Sequence, residues 1–284
     1  MEKTLVIAFD GLDYELIQEF GLESILQEEH GQIDNYSNTS SIKTSELFAS
    51  FITGENYSKH GIKGLSIWTN SRVSKVEEVI GKMPYSQKTA ELRKAIYESL
   101  SFLSAKKIRY DKRFLNSDTI FEEVENSRAM FVPGYNPSRY WQLGWDMSPL
   151  SYNISVEETI ELWDTREYRH RKEMLFRELE SEIIPARDFL MCHFHRPDIH
   201  QHMYGDKDTG NFDRNKLKKL YEETDRLAGE IKEKAESKGY ERIIFMSDHG
   251  LPQGNEHNKN AFHSTKEPLF SSKPKITDFF STLV

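Results

Sequence analysis

One cysteine, Cys192, stands in a chain of 284 residues. A lone cysteine excludes an internal disulfide framework and a cysteine-rich zinc site. Its place in the apolar run DFLMCHF (188–194) predicts a buried, inert thiol. Long apolar runs are missing as well. No stretch approaches the roughly 18 residues that a membrane span requires. The N-terminal run in MEKTLVIAFDG is too short for a secretory signal, so a cytoplasmic protein without membrane association is expected. Positive charge is in the minority: 38 Lys and Arg against 46 Asp and Glu give a net charge of −8. Such a surface has no general attraction for nucleic acid or anionic lipid. An anionic substrate would need local positive charge, from metal or a basic patch. Fixed-period repeats, low-complexity tracts and a clean domain linker are also absent, which favours one domain over 1–284.

What is present is a regular alternation. Residues 4–9 (TLVIAF), 188–194 and 242–246 (RIIFM) are apolar without a polar stripe, the pattern of strands buried on both faces. Residues 129–137 (AMFVPGYNP) read as a strand running into a turn. Helical patterns fill 13–21, 44–54, 117–127 with Asp118 near its start, 156–182, 212–238 and 275–284. Gly21, Gly54 and Gly239 act as stops. Residues 63–117 are polar, carry the basic run AKKIRYDKR, and read as an inserted cap region. Strands alternating with helices from end to end predict an α/β fold with a mainly parallel sheet.

In such sheets ligands gather at the carboxyl ends of the strands. Three strands here end in acid or imidazole. Asp10 closes the first, Asp198 and His202 follow the second in HFHRPDIHQHMYG, and Asp248 and His249 close the third in RIIFMSDHG. Each acid alone reads as a helix cap or loop residue; together they suggest metal ligands in one crevice. Asp198 and His202 are four apart, so one helical turn puts both on one face, whereas His200 points elsewhere. His193 and His195 read equally as core or as backing to the ligands. Seven of the ten histidines lie between 193 and 263. Asp10, Asp198, His202, Asp248, His249 and one further histidine are too many for one tetrahedral ion. They suit two divalent ions about 3.5–4 Å apart, the arrangement used for in-line phosphoryl displacement. Oxygen and nitrogen donors without thiolate suit zinc first and manganese second, with iron a third choice. Thr44, where the helix of KTSELFASFITG begins, offers an alcohol nucleophile beside a positive helix end. Taken alone, that segment also reads as an ordinary N-cap.

Taken in order, these motifs resemble the alkaline phosphatase superfamily, and within it the type I phosphodiesterase/nucleotide pyrophosphatase branch. VIAFDGLD resembles the first metal-binding strand. KTSELFASFITGENYSKHGIKG resembles the nucleophile segment, with Thr53-Gly54 and His60-Gly61-Ile62 as its signature. RPDIHQHMYG and SDHG resemble the Asp-x-x-x-His and Asp-His metal pairs, and VPGYNP and KITDFFSTLV weaker landmarks. The resemblance implies a three-layer α/β/α sandwich around a mainly parallel sheet, in one alkaline phosphatase-like catalytic domain. It implies one ion held by Asp10, Thr44, Asp248 and His249, and a second held by Asp198, His202 and a late histidine. His257 fits that last place, with His263 on the following strand as the alternative. Thr44 would attack phosphorus to form a phospho-enzyme that water then cleaves. His60 is expected to pack between helix and loop.

Two departures stand beside the nucleophile. Glu46 replaces a frequent proline, and its charge would repel a phosphate unless it turns away. Leu47 replaces an asparagine that lies near a substrate oxygen in eukaryotic pyrophosphatases, and a lost oxyanion donor typically costs about 10²–10³ in rate. Lys106, Lys107 and Arg109 are candidate substrate-binding cations for a phosphate-rich small molecule, a nucleotide or a nucleic-acid end. The aromatic stretch RYWQLGW (139–145) could stack a base, although core packing accounts for it more simply. A sulfatase would need a modifiable Cys or Ser where Thr44 stands, and a cofactor-independent mutase needs a larger chain. The expected activity is therefore hydrolysis of a phosphodiester or nucleotide pyrophosphate. The alternatives are a phosphomonoesterase or phosphonate hydrolase, or a relative that only binds phosphate ligands.

Overall fold

The computed structural model describes residues 2–37, 39–68, 107–137, 155–206, 211–253 and 256–284. The run TLVIAF forms strand β1 (Thr4–Phe9), buried at every position. Strands β2 (Glu29–Gln32), β3 (Ser127–Met130), β4 (Phe189–Phe194), β5 (Arg242–Ser247) and β6 (Phe262–Thr265) complete one sheet in the order β2-β6-β5-β1-β4-β3. β3, β4, β1 and β5 run parallel, and β6 runs antiparallel to both of its neighbours.

The pleat sends alternate residues of β1 to opposite layers. Leu5, Ile7 and Phe9 pack with helices α1 (Tyr14–Phe20), α4 (Arg169–Glu180) and α6 (Arg214–Lys238). Val6 and Ala8 pack with α2 (Thr44–Thr53) and α7 (Asp278–Leu283). Two apolar cores sandwich the sheet, which is the three-layer α/β/α architecture expected. On the same side as α4 and α6 lie α3 (Val156–Trp163), joined to α4 by a π-helical stretch at Asp164–Tyr168, and α5 (Arg196–Tyr204) after β4. Among the described residues no helix is long and apolar enough to cross a membrane.

Register brings the strand tips level. Phe9 pairs with Phe194 and Ala8 with Met246, so Asp10, His195 and Asp248 leave the sheet side by side. The Asp10 amide still donates to the Phe194 carbonyl at 2.9 Å, which fixes the backbone beneath its carboxylate.

Three elements differ from the sequence reading. The helix expected over 117–127 is a single turn, Ile120–Glu123, because Ser127 already pairs with Phe189 in the sheet. Thr119 rather than Asp118 caps it, in a capping box with Glu122. The helix expected over 156–182 contains the π stretch, and β2 (EHGQ) has no apolar run to announce it. Of the expected cap, Ser66–Trp68 pairs antiparallel with Lys107–Arg109, so the segment leaves and returns at one place; residues 69–106 lie outside the described residues. Cys192 is buried in β4, and burial pushes its thiol up to about 12.

Candidate metal centre

Thr44 is the first residue of α2. Lys43 occupies the cap position and no side chain caps the helix, so its positive end is open beside Thr44, although the Glu46 amide already donates to the Lys43 carbonyl at 3.0 Å. The threonine is therefore not the N-cap of the plainer reading. Its Oγ1 lies 3.4 Å from Asp10 Oδ1 and 3.4 Å from His249 Nε2.

His249 Nε2 is the point on which the first predicted set converges. Asp10 Oδ1 is 3.1 Å away, Thr44 Oγ1 3.4 Å and Asp248 Oδ2 3.5 Å. On its other side the His249 ring contacts the Gly250 carbonyl through Nδ1 at 2.9 Å. With Nδ1 donating, the neutral form of the ring turns its Nε2 lone pair toward the acids, the usual arrangement of a metal-binding imidazole. Asp10, Asp248 and His249 are all fully buried.

The second set meets around Asp198. Its Oδ2 is 3.4 Å from His202 Nε2, and its Oδ1 is 3.4 Å from His257 Nε2. His202 and His257 bring their Nε2 atoms to 3.2 Å of each other. Two imidazole lone pairs do not face one another unless a proton or a cation lies between them. Asp198 also belongs to a cluster with Asp10 and His249 whose donor atoms lie within 4.8 Å of one another, so the two sets adjoin.

Burial without partners is the property that needs explaining. Asp10 Oδ2, Asp198 Oδ1 and both oxygens of Asp248 are buried and accept no hydrogen bond among the described residues. Orphaned carboxylate oxygens are rare and costly. Burial raises Asp10 and Asp198 adds to it, but the imidazoles of His195, His193 and His249 outweigh both and hold the acid below the usual carboxylate range. Asp198 is held well below it too, burial being overcome by His202 and His257. Asp248 goes the other way: burial, with Asp10 and Asp198 behind it, pushes the carboxyl well above its ordinary value despite His249. Against the effect of burial, Asp248, Asp10 and Asp198 push His249 up to about 10. A site that draws protons this strongly onto Asp248 and His249 is short of positive charge, which a divalent cation would supply. The donor set fits such ions.

His263 stands elsewhere. It lies on β6 with its ring against Phe270 and Phe279, 5.5 and 5.8 Å between centroids, and burial pushes it down to about 4. His257 is therefore the histidine that reaches the cluster. His60 packs as expected, its ring nitrogens meeting Ser50 Oγ at 3.0 Å and the Ile62 amide at 3.1 Å. Glu46 turns away from the site: its carboxylate accepts from the Ser40 amide, from Ser40 Oγ at 2.7 Å and from the Gly64 amide at 2.8 Å. Leu47 is buried in the core behind α2. Arg109 donates to the Leu65 carbonyl at 3.3 Å, Lys106 lies outside the described residues, and so does the aromatic stretch 139–145.

Several residues around the site stand outside the predicted ligand sets. His193 and His195, read equally as core or as backing to the ligands, place their Nε2 atoms 3.4 and 3.3 Å from Asp10 Oδ2, on the backing side. Asn35 Nδ2 holds the Asp248 carbonyl at 2.6 Å. Asp13 caps α1 and also accepts from Asn258 at 2.5 Å, from Asn260 and from the Leu251 amide, which ties down the loop bearing His257. Gly11 has φ +73°, and a Cβ there would lie 3.0 Å from the Asp198 carboxylate, so no other residue fits without moving a candidate ligand.

A sequence profile of the type I phosphodiesterase / nucleotide pyrophosphatase family matches residues 4–271. The chain belongs to that family. Its motifs thus place it in the alkaline phosphatase superfamily, as the resemblance implied. Among solved structures it is similar to murine ectonucleotide pyrophosphatase / phosphodiesterase 5, with 15% identity and a TM-score of 0.50. It is similar also to an inactive threonine-to-alanine variant of that murine protein in complex with AMP, with 14% identity and a TM-score of 0.50. Each match covers 88% of this chain but 57% of the other, so the chain spans little more than half the length of these structures. At such identities the likeness is one of fold. No curated protein matches the chain.

Proposed function

We propose that this protein is a metal-dependent hydrolase of phosphate esters, acting on phosphodiester or nucleotide pyrophosphate bonds through Thr44. The observation that carries the reading is the convergence of Thr44 Oγ1, Asp10 Oδ1 and Asp248 Oδ2 within 3.5 Å of His249 Nε2 at an uncapped helix N-terminus. Asp10, Thr44, Asp248 and His249 would hold one divalent ion, and Asp198, His202 and His257 a second. Zinc suits these donors first and manganese second. Bound there, such ions supply the charge that ionises an alcohol and offsets the phosphoryl oxygens.

Thr44 contributes the nucleophilic oxygen. Attack on phosphorus forms a phosphothreonine and releases the alcohol or phosphate leaving group, and water then cleaves the phosphothreonine. The α2 N-terminus faces the phosphoryl group with amide dipoles and stabilises its negative charge. Glu46, turned toward Ser40 and Gly64, adds no repulsion. AMP in the murine neighbour supports a nucleotide as the substrate class. A second reading, hydrolysis of monoesters or phosphonates, is favoured by one observation: Leu47 offers no donor where pyrophosphatases carry an amide, and its side chain is committed to the core.

The test is a nitrophenyl phosphodiester against the matching monoester, with added Zn²⁺ or Mn²⁺, for the parent and Thr44→Ala. The expected result is a preference for the diester that disappears in the variant. A variant as fast as the parent would make water the nucleophile and end the phosphothreonine mechanism.

A further inference from the structure

An ion pair lies buried behind the centre with no part in the chemistry above. Arg171 on α4 pairs with Glu167, and the two side chains are 7% and 4% exposed. A pair taken out of water this completely seldom stabilises a fold more than apolar residues of the same size would. Its position follows from the π-helical stretch Asp164–Tyr168, which ends just before α4. One extra residue in a turn rotates the following helix by about 100°. That rotation sets which face of α4 meets β4. Arg171 packs its guanidinium 5.0 Å over Phe131, a non-glycine residue held at φ +62°. Such a backbone is strained by roughly 1–2 kcal/mol and persists only where its surroundings fix it.

The guanidinium is aimed at one residue. Nη1 lies 2.8 Å from His193 Nδ1 and 2.7 Å from the His193 carbonyl. A guanidinium has only donors, so His193 Nδ1 must accept, and the ring proton must sit on Nε2. That atom faces Asp10 Oδ2 at 3.4 Å. Both atoms are buried, and neither has a hydrogen bond among the described residues. The separation is long for a hydrogen bond, and a shift of a few tenths of an ångström closes it. Phe48 stands edge-on to the same ring at 4.9 Å and limits its tilt.

We propose that the buried Glu167–Arg171 pair is a positioning device: it locks His193 in the Nε2–H tautomer, and His193 in turn orients the Asp10 carboxylate toward Thr44 and His249. Asp10 then has one oxygen for a cation and one held by His193 with His195 beside it, instead of two free to rotate. Outer groups that orient a ligand in this way typically contribute about 10–100-fold to metal affinity. The proposal rests on the reading of Asp10 as a metal-binding carboxylate, but the tautomer can be measured without metal.

The test uses the full chain with ¹⁵N-labelled histidine, stripped by a chelator. Two-bond ¹H–¹⁵N spectra report each ring's tautomer, with His193 assigned by its loss in His193→Gln. The parent is expected to show a single Nε2–H form. The double variant Glu167→Gln/Arg171→Met removes both charges together, so no buried charge is left unpaired. It should keep a cooperative melt, show His193 as a mixture of tautomers, and bind Mn²⁺ roughly tenfold more weakly by calorimetry. His193→Gln, whose amide can still donate to Asp10, should bind Mn²⁺ more tightly than His193→Leu. Arg171→Lys, which keeps a charge beside Glu167 but loses the planar fork, is the second variant and should shift both readouts in the same direction. An unchanged Nε2–H signal or unchanged Mn²⁺ affinity in a folded variant overturns the proposal. A parent that binds no Mn²⁺ refutes the metal site itself, and the tautomer alone then decides for the ion pair.

Discussion

The two halves of the centre are built differently. Asp10, Asp248 and His249 sit on the tips of parallel strands and at the start of the loop after β5, sealed from solvent. Asp198, His202 and His257 sit on helix α5 and on a two-residue ribbon strand, and the His202 side chain is 44% exposed. The inner half buries like charges that the fold does not satisfy. The rim half reaches water through His202, while Asp198 and the His257 side chain stay largely covered. An ion in the inner half should therefore be held tightly by fixed donors, whereas one at the rim should exchange readily. In the mechanism proposed above the reacting alcohol, Thr44, lies in the inner half.

Asp248→Asn should break this contrast most sharply. Hydrolysis is expected to fall by roughly 10³-fold or more, because the proposed mechanism makes Asp248 a cation ligand beside Thr44. The metal-free protein should meanwhile melt about 2–4 °C higher, since a buried acid beside Asp10 and Asp198 is removed. Calorimetry after chelation checks the second effect; a lower melting temperature would mean the acids are not in conflict. Thr44→Ala should lower kcat by roughly 10³-fold while the protein still retains metal. Elemental analysis beside single-turnover kinetics separates those two outcomes. His202→Ala should lose ~10–100-fold at stoichiometric metal and recover much of it in excess metal, by mass action at the rim. The inner variants should not recover.

Smaller effects lie outside the two halves. Glu46→Gln should leave kcat within a few-fold and cost about 1–3 kcal/mol of stability, because the carboxylate anchors Ser40 and Gly64. A urea midpoint reads this directly. His60 and His263 are each pushed down to about 4, burial being the first cause in both. The unfolded chain binds protons at about 6.5 where the folded chain does not. Stability is thus fully present above about pH 6.5 and is lost as pH falls toward 4, by up to about 1.4 kcal/mol per pH unit for each ring. Urea midpoints between pH 7 and 4 should show this slope, reduced in His263→Phe.

Much of the inner half was legible in the sequence because its signals are local. An apolar run that stops at an acid marks a strand tip, and Gly54 closing a helical pattern sets Thr44, the proposed nucleophile, at its start. The four-residue spacing of Asp198 and His202 also survived, on α5. What stayed hidden depends on contacts distant in sequence. Glu167 and Arg171 belong to a highly charged segment read only as a long helix, yet both are buried, Glu167 inside the π stretch and Arg171 just after it. Glu46 read as a neighbour of phosphate, yet Ser40 and Gly64 hold it elsewhere. Asp13 showed only as the first residue of a helical pattern, while its carboxylate accepts from Asn258 and Asn260 across the chain.

The central claim is that two divalent ions lie between these residues, one in each half. Crystals soaked in Mn²⁺ or Zn²⁺ and measured at the metal's absorption edge test it directly. The account predicts two anomalous peaks, one touching Asp10, Thr44, Asp248 and His249, the other touching Asp198, His202 and His257, with the rim peak fading first on dilution of the metal. A single peak shared by both halves, or none at saturating metal, would contradict it.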